Sequence, residues 1–132
     1  MNTSQGPTQT KANLQELGWD GEALVRSWIG EVAPTVADKA GSFVFGELYA
    51  MKQLPLRYRE LLISAIISDT GGLPDGAVQH LKVAVSEGVT PGEVDEMFAM
   101  IAAYAGFPRA LAAAREYQRQ LAPRPEPVTE TR

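Results

Sequence analysis

The sequence predicts an all-α domain of about six helices, and three observations predict it. Apolar residues recur at spacings of three and four in every segment between the two ends of the chain. No stretch alternates apolar and polar residues as a half-buried strand would. Glycine and proline fall mainly at the junctions between apolar segments, where they stop and start helices.

Each element has its own justification. Asp20 can cap a first helix with Leu24, Val25, Trp28 and Ile29 on one face. Pro34 suits the first turn of a second, with Val36, Ala40, Phe43, Val44 and Leu48 pointing inward. Pro55 starts a third that runs to about Asp69 and stops at Thr70-Gly71-Gly72. Asp75 precedes a fourth that ends at Gly88. Thr90-Pro91-Gly92-Glu93 is a capping box with proline at the first helical position, and it opens the fifth. Pro108 opens the last, which runs to about Leu121. Residues 1–13 are polar with Gly and Pro and read as a disordered tail. Residues 122–132 hold three prolines in five positions and read the same way. One helical domain, 14–121, lies between them.

Composition bounds the function. The 132 residues carry a net charge of -4 with scattered basic residues, which excludes a nucleic-acid partner bound through clustered Lys and Arg. There is no cysteine, so disulfides, thiolate nucleophiles and zinc-thiolate sites are excluded. One histidine without an acidic pair at ligand spacing argues against a metal site. The N-terminus has no apolar signal region, and no apolar run reaches the ~18 residues that span a bilayer. A soluble, cytoplasmic protein with no membrane partner is the expectation.

Two helices are unusual. From Met97 to Tyr104 the fifth has no charged or amide side chain on any face. A helix apolar all round must be buried all round, either by its own domain or by a second subunit. The third is also apolar except for Arg57, Glu60, Ser64 and Ser68, whose spacings of three and four set them on one narrow stripe. That stripe is either a solvated edge or the wall of a wet pocket. In the fourth helix Ala77, Val78, Leu81, Ala84 and Val85 form a core stripe, and Gln79, Lys82 and Ser86 a solvated face. His80, the only histidine, borders the core stripe. It is either a core-edge histidine bonded to a backbone carbonyl or a proton-transfer group. Glu60 reaches it if helices three and four pack antiparallel across the Gly-rich turn, and a carboxylate partner would then set its tautomer.

Arg59-Glu60-Leu61-Leu62 heading an apolar helix, then His80, then Glu87-Gly88-Val89-Thr90-Pro91-Gly92-Glu93-Val94-Asp95-Glu96-Met97, then Tyr104-Ala105-Gly106-Phe107-Pro108-Arg109-Ala110 resembles the carboxymuconolactone decarboxylase family, from about Phe43 to Tyr117. The resemblance implies an alkylhydroperoxidase D-like helical fold and a homo-oligomer, trimer or hexamer. The peroxidase branch of that fold holds cysteines seven and four residues before the histidine; this chain has Leu73 and Gly76 there, so a thiol peroxidase is excluded. The cysteine-less branch it resembles more closely decarboxylates a small carboxylated lactone without a cofactor. Carried over, His80 is the functional histidine and Glu60 the carboxylate on the preceding helix. Substrate contacts would come from Ser64, Ser68 and Tyr104, with Arg57, Arg59 or Arg109 holding the anion. Dedicated decarboxylases usually carry Ser or a similar residue where this chain has Glu60, and the loop Thr70 to Asp75 is slightly longer here. The same scaffold serving another proton transfer (cyclisation, dehydration or isomerisation), or a non-catalytic oligomeric binding protein, are the alternatives.

Overall fold

The computed structural model describes residues 21–121, all-helical with no strand among them. The expected Asp20 cap and the two tails lie outside the described residues. Six helices follow one another: α1 (Gly21–Ile29), α2 (Pro34–Lys39, continuing as a π-helix over Ala40–Leu48), α3 (Leu56–Thr70), α4 (Pro74–Ser86), α5 (Pro91–Ala105) and α6 (Phe107–Leu121). The chain divides into two compact units at Pro55/Leu56. No helix among the described residues is long and apolar enough to cross a membrane, and none of their His, Asp and Glu side chains cluster as a metal site.

The first unit departs from the expected register. Instead of Val36, Ala40, Phe43, Val44 and Leu48, the buried residues of α2 and its continuation are Ala37, Gly41, Phe45, Gly46 and Tyr49. Val36 and Phe43 are more than half exposed. The reason is geometric. A π-turn closes on the fifth residue back, as Tyr49 N–H does on Val44 C=O, so inward positions drift from the 3.6 spacing assumed for an α-helix. Gly41 and Gly46 weaken α-helical preference there. Phe45 and Tyr49 end up one above the other, their rings parallel with centroids 6.0 Å apart. Trp28, expected on the inner face of α1, is about half exposed; Arg26 of α1 pairs with Asp38 of α2 at 2.8 Å.

The second unit holds the site. Its core is Leu81 and Ala84 from α4, Val89, then Val94, Met97 and Ile101 from α5 and Ala110 from α6. Two local motifs set the α4–α5 corner. Val89 N–H reaches Ala84 C=O and Gly88 N–H reaches Val85 C=O, the pair of bonds that closes a Schellman turn. Gly88 sits at φ +103 to make it, a conformation that costs a side-chain-bearing residue. Thr90 Oγ1 then accepts from Glu93 N–H at 3.1 Å while Glu93 Oε1 accepts from Thr90 N–H at 3.0 Å. This is the capping box expected at that tetrapeptide. α4 begins at Pro74, two residues earlier than expected, so Asp75 lies in its first turn, where a negative charge suits the helix dipole.

α5 is not buried all round within one chain. Val94, Met97 and Ile101 face the core, whereas Met100 is 63% and Tyr104 90% exposed. With Tyr58, Leu62 and Ile66 of α3 these two line an open apolar groove of about 540 Å³.

Candidate active site

Helices α3 and α4 run antiparallel, as two cross-links show. Ser64 Oγ donates to the Ala77 carbonyl at 2.8 Å, and one turn away Glu60 Oε2 lies 2.5 Å from His80 Nδ1. Moving forward along α3 thus means moving backward along α4. The polar stripe of α3 faces this contact: Glu60 and Ser64 are completely buried, which removes the solvated-edge reading for those two. His80 is 9% exposed and belongs to the buried face of α4.

The dyad has a defined chemistry. A carboxylate can only accept, so an ionised Glu60 takes the Nδ1 proton as a hydrogen-bond acceptor and fixes the ring orientation. The nitrogen that then gains or loses a proton is Nε2. Glu60 Oε1 is buried and has no hydrogen-bond partner among the described residues. A buried carboxylate satisfied through one oxygen only is costly, and such groups concentrate at functional sites.

Next to the dyad lies a cavity of about 410 Å³ between α3, α4, α5 and α6. Glu60 and His80 do not themselves line it; Ser64, one turn beyond Glu60, and Ala77, Val78 and Leu81, on the helix that carries His80, contribute to its wall. Ser68 and Arg109 line it as well, with Phe98, Ala113, Glu116 and Tyr117. Arg109 is held across the edge by donating from its guanidinium to the Asp69 carbonyl at the end of α3. Glu116 accepts from Arg119 and from Gln120, and these hydrogen bonds lower its pKa to about 2. Burial pushes the Tyr117 hydroxyl up.

The residues singled out in the sequence therefore fall into three places. Glu60 and His80 form the dyad, while Ser64, Ser68 and Arg109 line the cavity beside it. Tyr104 is elsewhere, on the open groove with Leu62 and Met100. Arg57 is also outside the cavity, its guanidinium stacked 4.6 Å over the Tyr58 ring, and Arg59 is half-buried and not on the cavity wall. Glu116 and Tyr117 were missed in the sequence. Their signal was the small-residue run Ala112-Ala113-Ala114 before them, which leaves room on one side of α6.

No curated protein matches the chain. The family model of the carboxymuconolactone decarboxylase family matches residues 34–119, a span that takes in α2 to α6 with the dyad and every cavity residue. With that match over most of the described chain and an all-helical architecture around a Glu–His pair, the chain belongs to the carboxymuconolactone decarboxylase family.

Proposed function

We propose that the chain is a cofactor-free, decarboxylase-like lyase acting on a small carboxylated lactone or related unsaturated acid. The buried Glu60–His80 contact at 2.5 Å carries this reading. In such a reaction the carbon–carbon bond to the carboxylate breaks and CO2 leaves. Its electron pair passes into the conjugated carbonyl to give an enolate, and a proton must then reach carbon. An imidazole oriented by a carboxylate is suited to delivering that proton. Ser64, Ser68 and Arg109 provide hydroxyl and guanidinium groups to the adjoining cavity, which is of ligand size. The sequence contains no cysteine, so peroxide reduction through a sulfenic acid has no nucleophile here.

The working unit in this reading is a homo-oligomer. The exposed groove with Leu62, Ile66, Met100 and Tyr104 is covered by a second copy of the chain.

CO2 release from a carboxylated unsaturated lactone, followed with the purified protein, tests the activity. His80→Ala should lower turnover ~10²- to 10⁴-fold while the helices stay folded. Glu60→Gln should cost less if the carboxylate only orients the ring, and as much if it exchanges the proton. Undiminished CO2 release by His80→Ala would refute the dyad mechanism. Solvent-proton exchange into the substrate without CO2 release would replace the lyase by an isomerase on the same dyad.

A further inference from the structure

The geometry points to Arg109 as the anion-holding residue of a cavity built for a singly charged acid with an apolar body. This rests on reading the cavity beside the dyad as the substrate site. Three arginines were candidates, and only one lines the cavity. Arg57 and Arg59 do not, whereas Arg109 does. Its hydrogen bond to the Asp69 carbonyl uses one N–H and fixes the guanidinium plane without neutralising its charge. Among the described residues it has no carboxylate partner. The remaining donors of its five N–H groups suit a carboxylate in bidentate geometry.

The other ionised group on the wall, Glu116, is already matched by Arg119. One uncompensated positive charge is left, and it calls for one negative charge on the ligand. The rest of the wall sets the body. Ile67, Val78, Leu81, Phe98 and Ala113 are apolar and the Ser68 and Tyr117 hydroxyls carry no charge, so a second carboxylate would find no cation there. Ser64 is spent as a donor on Ala77, so its hydroxyl can serve a ligand only as an acceptor. A cavity of about 410 Å³ is of the size that takes a small organic ligand. A monocarboxylate on a six-membered ring fits these limits, and a dicarboxylate of the same size does not.

Calorimetric titration of the full chain with benzoate, benzamide and isophthalate tests this. Benzoate should bind more tightly than both the neutral amide and the dianion. Arg109→Gln should weaken benzoate about tenfold or more and leave benzamide unchanged. Lys39→Gln, which removes an exposed positive charge at the end of α2, should change neither. Ala113→Phe, which fills the cavity, should abolish binding of benzoate and benzamide together. Equal affinity for isophthalate, or charge-dependent binding that survives Arg109→Gln and is lost in Arg57→Gln or Arg59→Gln, would overturn the inference. So would the absence of benzoate binding to a protein whose circular dichroism shows it folded. The two readings fail separately. Arg109-dependent benzoate binding in a protein that turns over no acid would leave the anion site standing and remove the lyase. Turnover indifferent to Arg109→Gln would do the reverse.

Discussion

Glu60 Oε2 lies 2.5 Å from His80 Nδ1, although twenty residues separate them and each sits on a different helix. Because Glu60 is fully buried, the contact has a stability consequence besides its chemical one. Glu60→Ala removes the partner of a buried imidazole and leaves a void, and should lower unfolding free energy by ~3 kcal/mol. Glu60→Gln keeps the volume and an acceptor oxygen and should cost clearly less. Urea unfolding of the two variants checks the order. Equal losses would mean that the charge, not the contact, matters to the fold.

Much of this site could be read along the chain, because its signals are local. The Thr90–Glu93 box and the Gly88 stop depend on four or five consecutive residues, so they are legible without knowing what packs where. The Glu60–His80 pairing needed one further step, the antiparallel return across Gly71-Gly72. What could not be read depends on helix rotation or on distant packing. The π-turn at Ala40–Leu48 shifts which side chains face inward, so Ala37 and Phe45 are buried where Val36 and Phe43 were expected. Tyr104 follows Met100 by one turn and so turns outward with it, away from the cavity. Nothing near Arg109 in sequence shows that α6 folds back to set it against the end of α3.

Acid should act on α6 through Glu116. Its folded pKa of about 2 lies below the ordinary value of 4.5 because it accepts hydrogen bonds from Arg119 and Gln120. A lowered folded pKa adds stability that is present above pH 4.5 and lost as pH falls towards 2. Its partner Arg119 is mostly open to water, so the effect is small and salt-sensitive. Melting temperature measured across that window should fall less steeply in Glu116→Gln than in the parent. Parallel curves would show that the contact contributes nothing.

Gly88 offers a backbone test. At φ +103 a Cβ is strained whatever space surrounds it, and a substituent there would meet no other atom within 4 Å. Gly88→Ala should therefore destabilise by ~1 kcal/mol through conformation alone. Thermal melts would register this, with the helical signal of the folded state unchanged. A neutral or stabilising substitution would show that the α4–α5 corner relaxes out of its Schellman turn.

The last prediction concerns the groove. Tyr58, Leu62, Ile66, Met100 and Tyr104 are each 40% or more exposed and line one apolar surface, with Asp69, Glu93 and Glu96 also on its wall. Contiguous apolar exposure of that kind on a small helical unit marks an association surface. A second copy of the chain is the proposed occupant because α6 carries a complementary strip. Phe107 and Leu111, 69% and 66% exposed, lie one turn apart, and Arg115 follows one turn on to meet the acids. Light scattering at micromolar concentration should give a multiple of 14.3 kDa. Met100→Glu should dissociate the assembly by placing a charge at its apolar centre, and Leu111→Glu should do so from the other side of the same contact. A monomeric parent would overturn the proposal. An oligomer indifferent to both substitutions would assign the contact to another face. A protein that dissociates with Met100→Glu but not with Leu111→Glu would pair groove with groove instead.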